Sequence, residues 1–135
     1  MAKSLGAEVT GICSSSNLDL VKSLGADQVI DYTQEDFTQT GEKYDVVFDA
    51  VDKFPPEKSK KSQKKTGIYL NVDASSDKIK TKDVLSLLKE LKELIEAKKL
   101  KAVIDRTYTL AQIVEAHRYV DKGHKKGNVA ITVEH

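Results

Sequence analysis

Short β-branched runs alternate with amphipathic stretches along this chain, and that alternation restricts the fold more than any other feature. "AEVTGICS" (7–14), "DQVIDY" (27–32), "YDVVFDAV" (44–51) and "TGIYLNVDAS" (66–75) have the composition of strands. "NLDLVKSLGA" (17–26) sets Leu20, Val21 and Leu24 on one side of a helix and ends on Gly25, the residue that closes helices in a left-handed conformation. In "DVLSLLKELKELIEA" (83–97), Val84, Leu87, Leu88, Leu91, Leu94 and Ile95 recur at helical spacing, which predicts a core-facing stripe. Then come a short strand, "LKAVIDRTY", a helix, "LAQIVEAHRYVDKG" with Ile113, Val114, His117 and Val120 on one face, and a last strand, "NVAITVEH". Strands separated by helices need crossover connections, so the sheet must be mainly parallel. The expectation is a doubly wound α/β fold, Rossmann-like, with helices on both faces and "YDVVFDAV" buried on both sides.

Composition excludes more than it proposes. The 135 residues suffice for one domain with a real core. Twenty-two basic against 21 acidic side chains leave a formal charge of +1, which supports neither nucleic acid nor a membrane surface as partner. The one dense basic run, Lys58 to Lys65, lacks interleaved aromatics and reads as a solvated surface helix. No apolar segment approaches the ~18 residues of a membrane span. Cys13 is the single cysteine, so neither an internal disulfide nor a multi-thiolate zinc site is expected, and His117, His124 and His135 share no ligand spacing. With "MAKSLGAEV" lacking an apolar core, a cytoplasmic setting is the expectation.

Four segments carry a family resemblance: "LGAEVTGICSSSNLDLVKSLGADQVIDYTQEDF", "YDVVFDAV", "GIYLNVDAS" and "LIEAKKLKAVIDRTYTLAQIVEAHRYVDKGHKKGNVAITV". Together they resemble the zinc-independent quinone reductases of the medium-chain dehydrogenase/reductase superfamily, the zeta-crystallin-like group. The resemblance implies NADPH-dependent, metal-free reduction of quinones, enones or alkenals. Hydride passes in a cleft between a Rossmann domain and a separate catalytic domain. It also implies a division of this chain into a truncated cofactor domain, residues 1–100, and a strand-helix-strand segment, 101–135, that joins the catalytic domain. The family's first strand and glycine-rich, pyrophosphate-binding turn would precede "AKSLGAEV". The edge strand used for dimerisation would lie where "DKIKTKDVLSLLKE" stands. NADP(H) binding is expected to be weak without that glycine-rich turn, and a homo-oligomer, a missing-domain partner or rearranged pairing is expected to fill the place of the first strand.

The same resemblance names cofactor-binding residues. Cys13 to Ser16 ends the family's second strand without the acid that NAD-preferring enzymes place against the ribose 2′-hydroxyl, so NADP is favoured. Ser16 is expected to cap the next helix with Asp19, leaving Ser14 and Ser15 for the ligand. Asn17 stands where relatives place a cation for the 2′-phosphate. Tyr32 matches a tyrosine near the adenosine phosphate, with a strand-end aromatic covering the sheet as the equal alternative. Ala50, Val51, Val72 and Asp73 close strands beside the nicotinamide, and Asp52 replaces a usual glycine. Asp49 reads as a strand-end residue bonding nearby backbone, and no catalytic residue is identified. Lys126 and Asn128 align with residues near the cofactor phosphates, a solvated lysine being the alternative for the first. Two other functions fit parts of the pattern. A methyltransferase-like Rossmann domain would want an acid where Cys13 and Ser14 stand. A non-catalytic module would bind a nucleotide or a protein partner.

Overall fold

The computed structural model describes residues 1–52, 54–72 and 81–133. The described strands are β1 (Thr10–Cys13), β2 (Gln28–Asp31), β3 (Tyr44–Asp49), β4 (Gln63–Asn71), β5 (Ile104–Thr109) and β6 (Asn128–Thr132). The described helices are α1 (Leu18–Ser23), α2 (Pro56–Ser59), α3 (Thr81–Glu96) and α4 (Ile113–Asp121). The fold class is α/β with parallel pairing, as the alternation of patterns requires. The strands form three parallel pairs, β1 with β2, β3 with β4 and β5 with β6.

The first pair shows how sequence sets geometry. Gly25 adopts φ 100 just beyond α1, where a side chain would be strained, and its N–H reaches back to the Lys22 carbonyl 3.0 Å away. That turn delivers Asp27, whose carboxylate accepts from the Val9 N–H at 2.7 Å and from Lys3 Nζ at 2.8 Å. The strand register follows: Thr10 opposite Gln28, Cys13 opposite Asp31. Gly11 allows α1 to lie directly on β1, because a β-carbon there would collide with Val21 Cγ1.

Three expectations are corrected. β3 is not covered on both sides: Val46 is 50% and Phe48 59% exposed. The stripe of α3 is not core-facing either, since Val84, Leu87, Leu88 and Ile95 are all exposed. On α4 the buried residue is Ala116, while Ile113, Val114 and Val120 remain exposed and His117 is too. The common cause is sparse layering. Among the described residues only Ile30, Phe37 and Ala116 are buried apolar side chains, so periodicity marks faces that here lack a neighbour. The lysine run is also split: Lys58 lies in α2, but Lys64 and Lys65 belong to β4.

Candidate functional site

The carboxyl ends of β1 and β3 open on one cleft of about 1180 Å³. Thr10, Ile12, Cys13, Ser14, Ser16 and Asn17 form one wall, and Val47 to Val51 the other. Phe37 and Phe54, with ring centroids 5.0 Å apart, line it as an aromatic pair, and the exposed Tyr32 lines it too. From the far end of the sequence, Lys125 and Lys126 close one side, and Lys126 Nζ donates to the Ser16 carbonyl at 3.0 Å. That bond joins residues 110 positions apart.

Of the residues expected to bind cofactor, the cleft gathers Ser14, Asn17, Tyr32, Ala50, Val51 and Lys126. Ser15, Val72 and Asn128 are not among its lining residues, and Asp73 lies outside the described residues. Asn128 is held by its backbone, its N–H donating to the Val103 carbonyl at 2.7 Å as β6 begins. Val72 is 44% exposed beyond the end of β4.

The serine turn differs from its expected wiring. The residue capping α1 is Asn17, which makes no side-chain capping bond, so Ser16 does not cap with Asp19. Ser14 Oγ lies 3.2 Å from Ser16 Oγ. Ser15 is not free for a ligand, because its hydroxyl donates to Asp31 and sits 3.2 Å from Thr33 Oγ1. Asp31 is the acid that the turn itself lacks, brought beside Cys13 by the β1–β2 pairing. Hydrogen bonds from Ser15 and Thr33 hold its carboxyl below the ordinary range. Burial, reinforced by the Asp31 charge, pushes the Cys13 thiol up, so Cys13 is a poor nucleophile at neutral pH. The side-chain oxygen of Asn17 is buried without a partner. A buried acceptor left open beside a cleft suits a hydroxyl donor from a ligand.

The opposite wall is stiffened by Asp49, which is 7% exposed. Its carboxylate accepts from the N–H groups of Val51 at 3.0 Å and Phe54 at 2.7 Å, with the Tyr69 hydroxyl 3.3 Å away. Burial raises its pKa, but those three donors outweigh burial and hold it below the usual carboxylate value. Asp49 thus fixes the loop carrying Ala50 and Val51 instead of acting as an acid, as the sequence suggested. Asp52 follows at φ 50, the region glycine favours, and its carboxylate accepts from Asn71 Nδ2 at 2.6 Å, turned to β4.

Asp105 anchors the rim carrying Lys126. It accepts from the Tyr119 hydroxyl at 2.6 Å and the Lys126 N–H at 2.8 Å, which keep its carboxyl low, while Arg106 stacks 4.0 Å above the Tyr119 ring. Sequence reasoning missed Asp105, Phe37 and Phe54, because their partners are far away in the chain. The exposed His124 also lines the cleft.

Among the described residues no group of three His, Cys, Asp or Glu side chains is arranged to hold a metal ion, and no helix is long and apolar enough to cross a membrane.

Comparison with known proteins agrees with this architecture. A family model described as zinc-binding dehydrogenase matches residues 24–131. The chain is 34% identical over 131 residues to a tomato (Solanum lycopersicum) 2-methylene-furan-3-one reductase, covering 93% of this chain and 33% of that protein. It is 32% identical to a chloroplastic NADPH-dependent alkenal/one oxidoreductase of Arabidopsis thaliana, with the same coverage of each. Among solved structures, the quinone oxidoreductase from Coxiella burnetii superposes with a TM-score of 0.71 at 27% identity, over 98% of this chain and 47% of that one. The chain thus spans a third to a half of the length of these relatives. With parallel α/β pairs and a family match running through most of its length, this chain belongs to the zinc-binding dehydrogenase family.

Proposed function

We propose that this chain is the nicotinamide-nucleotide-binding portion of an NADPH-dependent reductase acting on quinones, enones or alkenals. The observation that carries the reading is the convergence of Ser14, Asn17, Tyr32, Ala50, Val51 and Lys126 on one cleft at the carboxyl ends of parallel strands. Ligands of α/β sheets collect at such ends. The cleft exceeds the ~300–1,000 Å³ of ordinary small-molecule sites, which accords with a ligand of dinucleotide size.

The residues divide the work. The unpartnered Asn17 oxygen accepts a ribose hydroxyl. Lys126, fixed at its base by Asp105, offers a cation to phosphate. Tyr32 covers the adenosine end, and the Asp49-braced loop presents Ala50 and Val51 towards the nicotinamide. NADPH as the preferred form is supported by Lys126 and by the naming of the Arabidopsis relative, not by an acid-free turn, because Asp31 stands beside Ser15. When bound, the cofactor supplies hydride to the electron-poor carbon of the acceptor. The chain's part is positioning and exclusion of water, and no metal is required of it. The family resemblance adds Val72, Asp73 and Asn128 to the cofactor-binding set. Residues 1–100 form the cofactor portion, and 101–135 the segment leading to an adjoining catalytic domain.

A fluorescence titration with NADPH and NADH tests this. Saturable NADPH binding is expected, weakened about tenfold by Lys126→Ala through loss of one charged contact, with NADH little affected. Absence of saturation at millimolar NADPH would overturn the reading.

A further inference from the structure

The serine turn separates two charges. Ser14 and Ser16 line the cleft with their hydroxyl oxygens 3.2 Å apart, and Lys126 Nζ, also a lining residue, reaches the Ser16 carbonyl. Ser15, between them, is turned to Asp31 instead: its hydroxyl donates to that carboxylate, and neither Ser15 nor Asp31 lines the cleft. A cation thus stands on the ligand side of the turn and an anion behind it.

Only its hydrogen bonds keep Asp31 there. It ends β2 opposite Cys13, and paired strands lie about 4.8 Å apart; Cys13 beside it and Tyr32 next along the chain both line the cleft. One carboxylate oxygen accepts from Ser15, and the other accepts from Thr33 Oγ1 at 2.7 Å and from the Thr33 N–H at 2.9 Å. Ser15 Oγ and Thr33 Oγ1 lie 3.2 Å apart, which closes a ring of three side chains. Among the described residues no ion pair is formed to Asp31. The same donors hold its carboxyl below the ordinary range, so it stays anionic at neutral pH. Of the acids that do line the cleft, Asp36 and Asp49 are bonded to loop N–H groups, which leaves Glu35 as the rival source of negative charge.

In α/β nucleotide sites an acid near the ribose accepts the 2′-hydroxyl of NAD, whereas a 2′-phosphate calls for a cation. We propose that Ser15 and Thr33 set the choice of nucleotide by holding Asp31 out of the cleft: while it is held, a 2′-phosphate meets Lys126 without Asp31, and once it is released the cleft turns towards NADH. This rests on the reading of the cleft as a nicotinamide-nucleotide site. A unit charge about 5 Å from a phosphate dianion changes affinity on the order of tenfold in water, and the effect fades as salt rises. A freed carboxylate that accepts a ribose hydroxyl favours NADH by a similar factor.

The test is a fluorescence titration of the full chain with NADPH and with NADH, at low and at high salt. The variants are Ser15→Ala with Thr33→Val, and the same pair with Asp31→Asn or Glu35→Gln added. Releasing Asp31 should lower the ratio of NADPH to NADH affinity by about tenfold at low salt and by less at high salt. Adding Asp31→Asn, which removes the charge, should return the ratio to within about threefold of the parent, and adding Glu35→Gln should not. Should the double variant fail to fold, Ser15→Ala alone carries the same test with a shift of about threefold. Equal loss of both nucleotides, an unmoved ratio, or a ratio restored by Glu35→Gln instead of Asp31→Asn would overturn the proposal. A parent that binds neither nucleotide at millimolar concentration would overturn the cofactor reading and this inference with it. A parent that binds NADPH, with a ratio unmoved in the variants, would overturn the role of Asp31 alone.

Discussion

Replacing Asp49 should damage the protein through its loop, not through chemistry. The carboxylate is buried and receives N–H groups from Val51 and Phe54, with the Tyr69 hydroxyl shared between it and the Phe54 carbonyl at 2.9 Å. Hydrogen bonds to a charged acceptor contribute about 1.5–3 kcal/mol each, and an N–H left unmatched costs about 1–3 kcal/mol. Asp49→Ala removes the acceptor and leaves two loop N–H groups to find water, so we expect a loss of about 3 kcal/mol. Asp49→Asn retains one carbonyl oxygen but sets an amide N–H₂ against a backbone donor, for a loss of about 1.5 kcal/mol. In urea denaturation, with a slope of about 1.5 kcal/mol/M, the alanine variant should move the midpoint down by about 2 M. Asp49→Asn should fall between it and the parent. A midpoint for Asp49→Ala within about 0.3 M of the parent would refute the idea that this carboxylate braces the cleft wall.

Other consequences are equally checkable. Gly11→Ala should destabilise by about 1–3 kcal/mol through overpacking against Val21, and Val21→Ala should restore part of the loss in the double variant; additivity in thermal melts would contradict the close approach. Asp27, Asp31, Asp36, Asp49 and Asp105 all have carboxyls held below their ordinary values. A depressed carboxyl stabilises the fold above the unfolded value of about 3.9, and that contribution disappears as pH falls through the folded values. Urea midpoints should therefore be flat from pH 7 to 5 and fall steeply below about pH 4; a midpoint unchanged at pH 3 would contradict these contacts. Tyr119→Phe should loosen the Lys126 rim by removing a donor to Asp105, read as faster amide exchange at Lys126 with the β1–β2 pair unchanged.

How much was legible in the sequence depended on the range of the interaction. β-branched runs and the Gly25 turn act within a few residues, so β1, β2 and α1 were recoverable to within a turn. Helical spacing at Val84, Leu87, Leu88, Leu91 and Ile95 correctly named an apolar face of α3, but spacing carries no information about whether another layer arrives to cover it. The site shows the same division. Ser14, Asn17, Tyr32, Ala50 and Val51 follow strand ends and Lys126 precedes β6, and the family resemblance singled them out as residues that the cleft gathers. Ser15 was misjudged because the carboxylate that occupies it, Asp31, comes from the neighbouring strand and is visible only once Cys13 and Asp31 are in register. Phe37, Phe54 and Asp105 had no local signature: each gains its role from a partner 14 to 21 residues away.

The central claim, that the cleft between β1 and β3 receives a nicotinamide nucleotide, is tested most directly by an NMR titration of the chain with NADPH. The account predicts saturable shifts at the amides of Ser14, Asn17, Tyr32, Ala50, Val51 and Lys126, with little change on α3. Shifts confined to the lysines of α2 and β4, or none at millimolar NADPH, would contradict it.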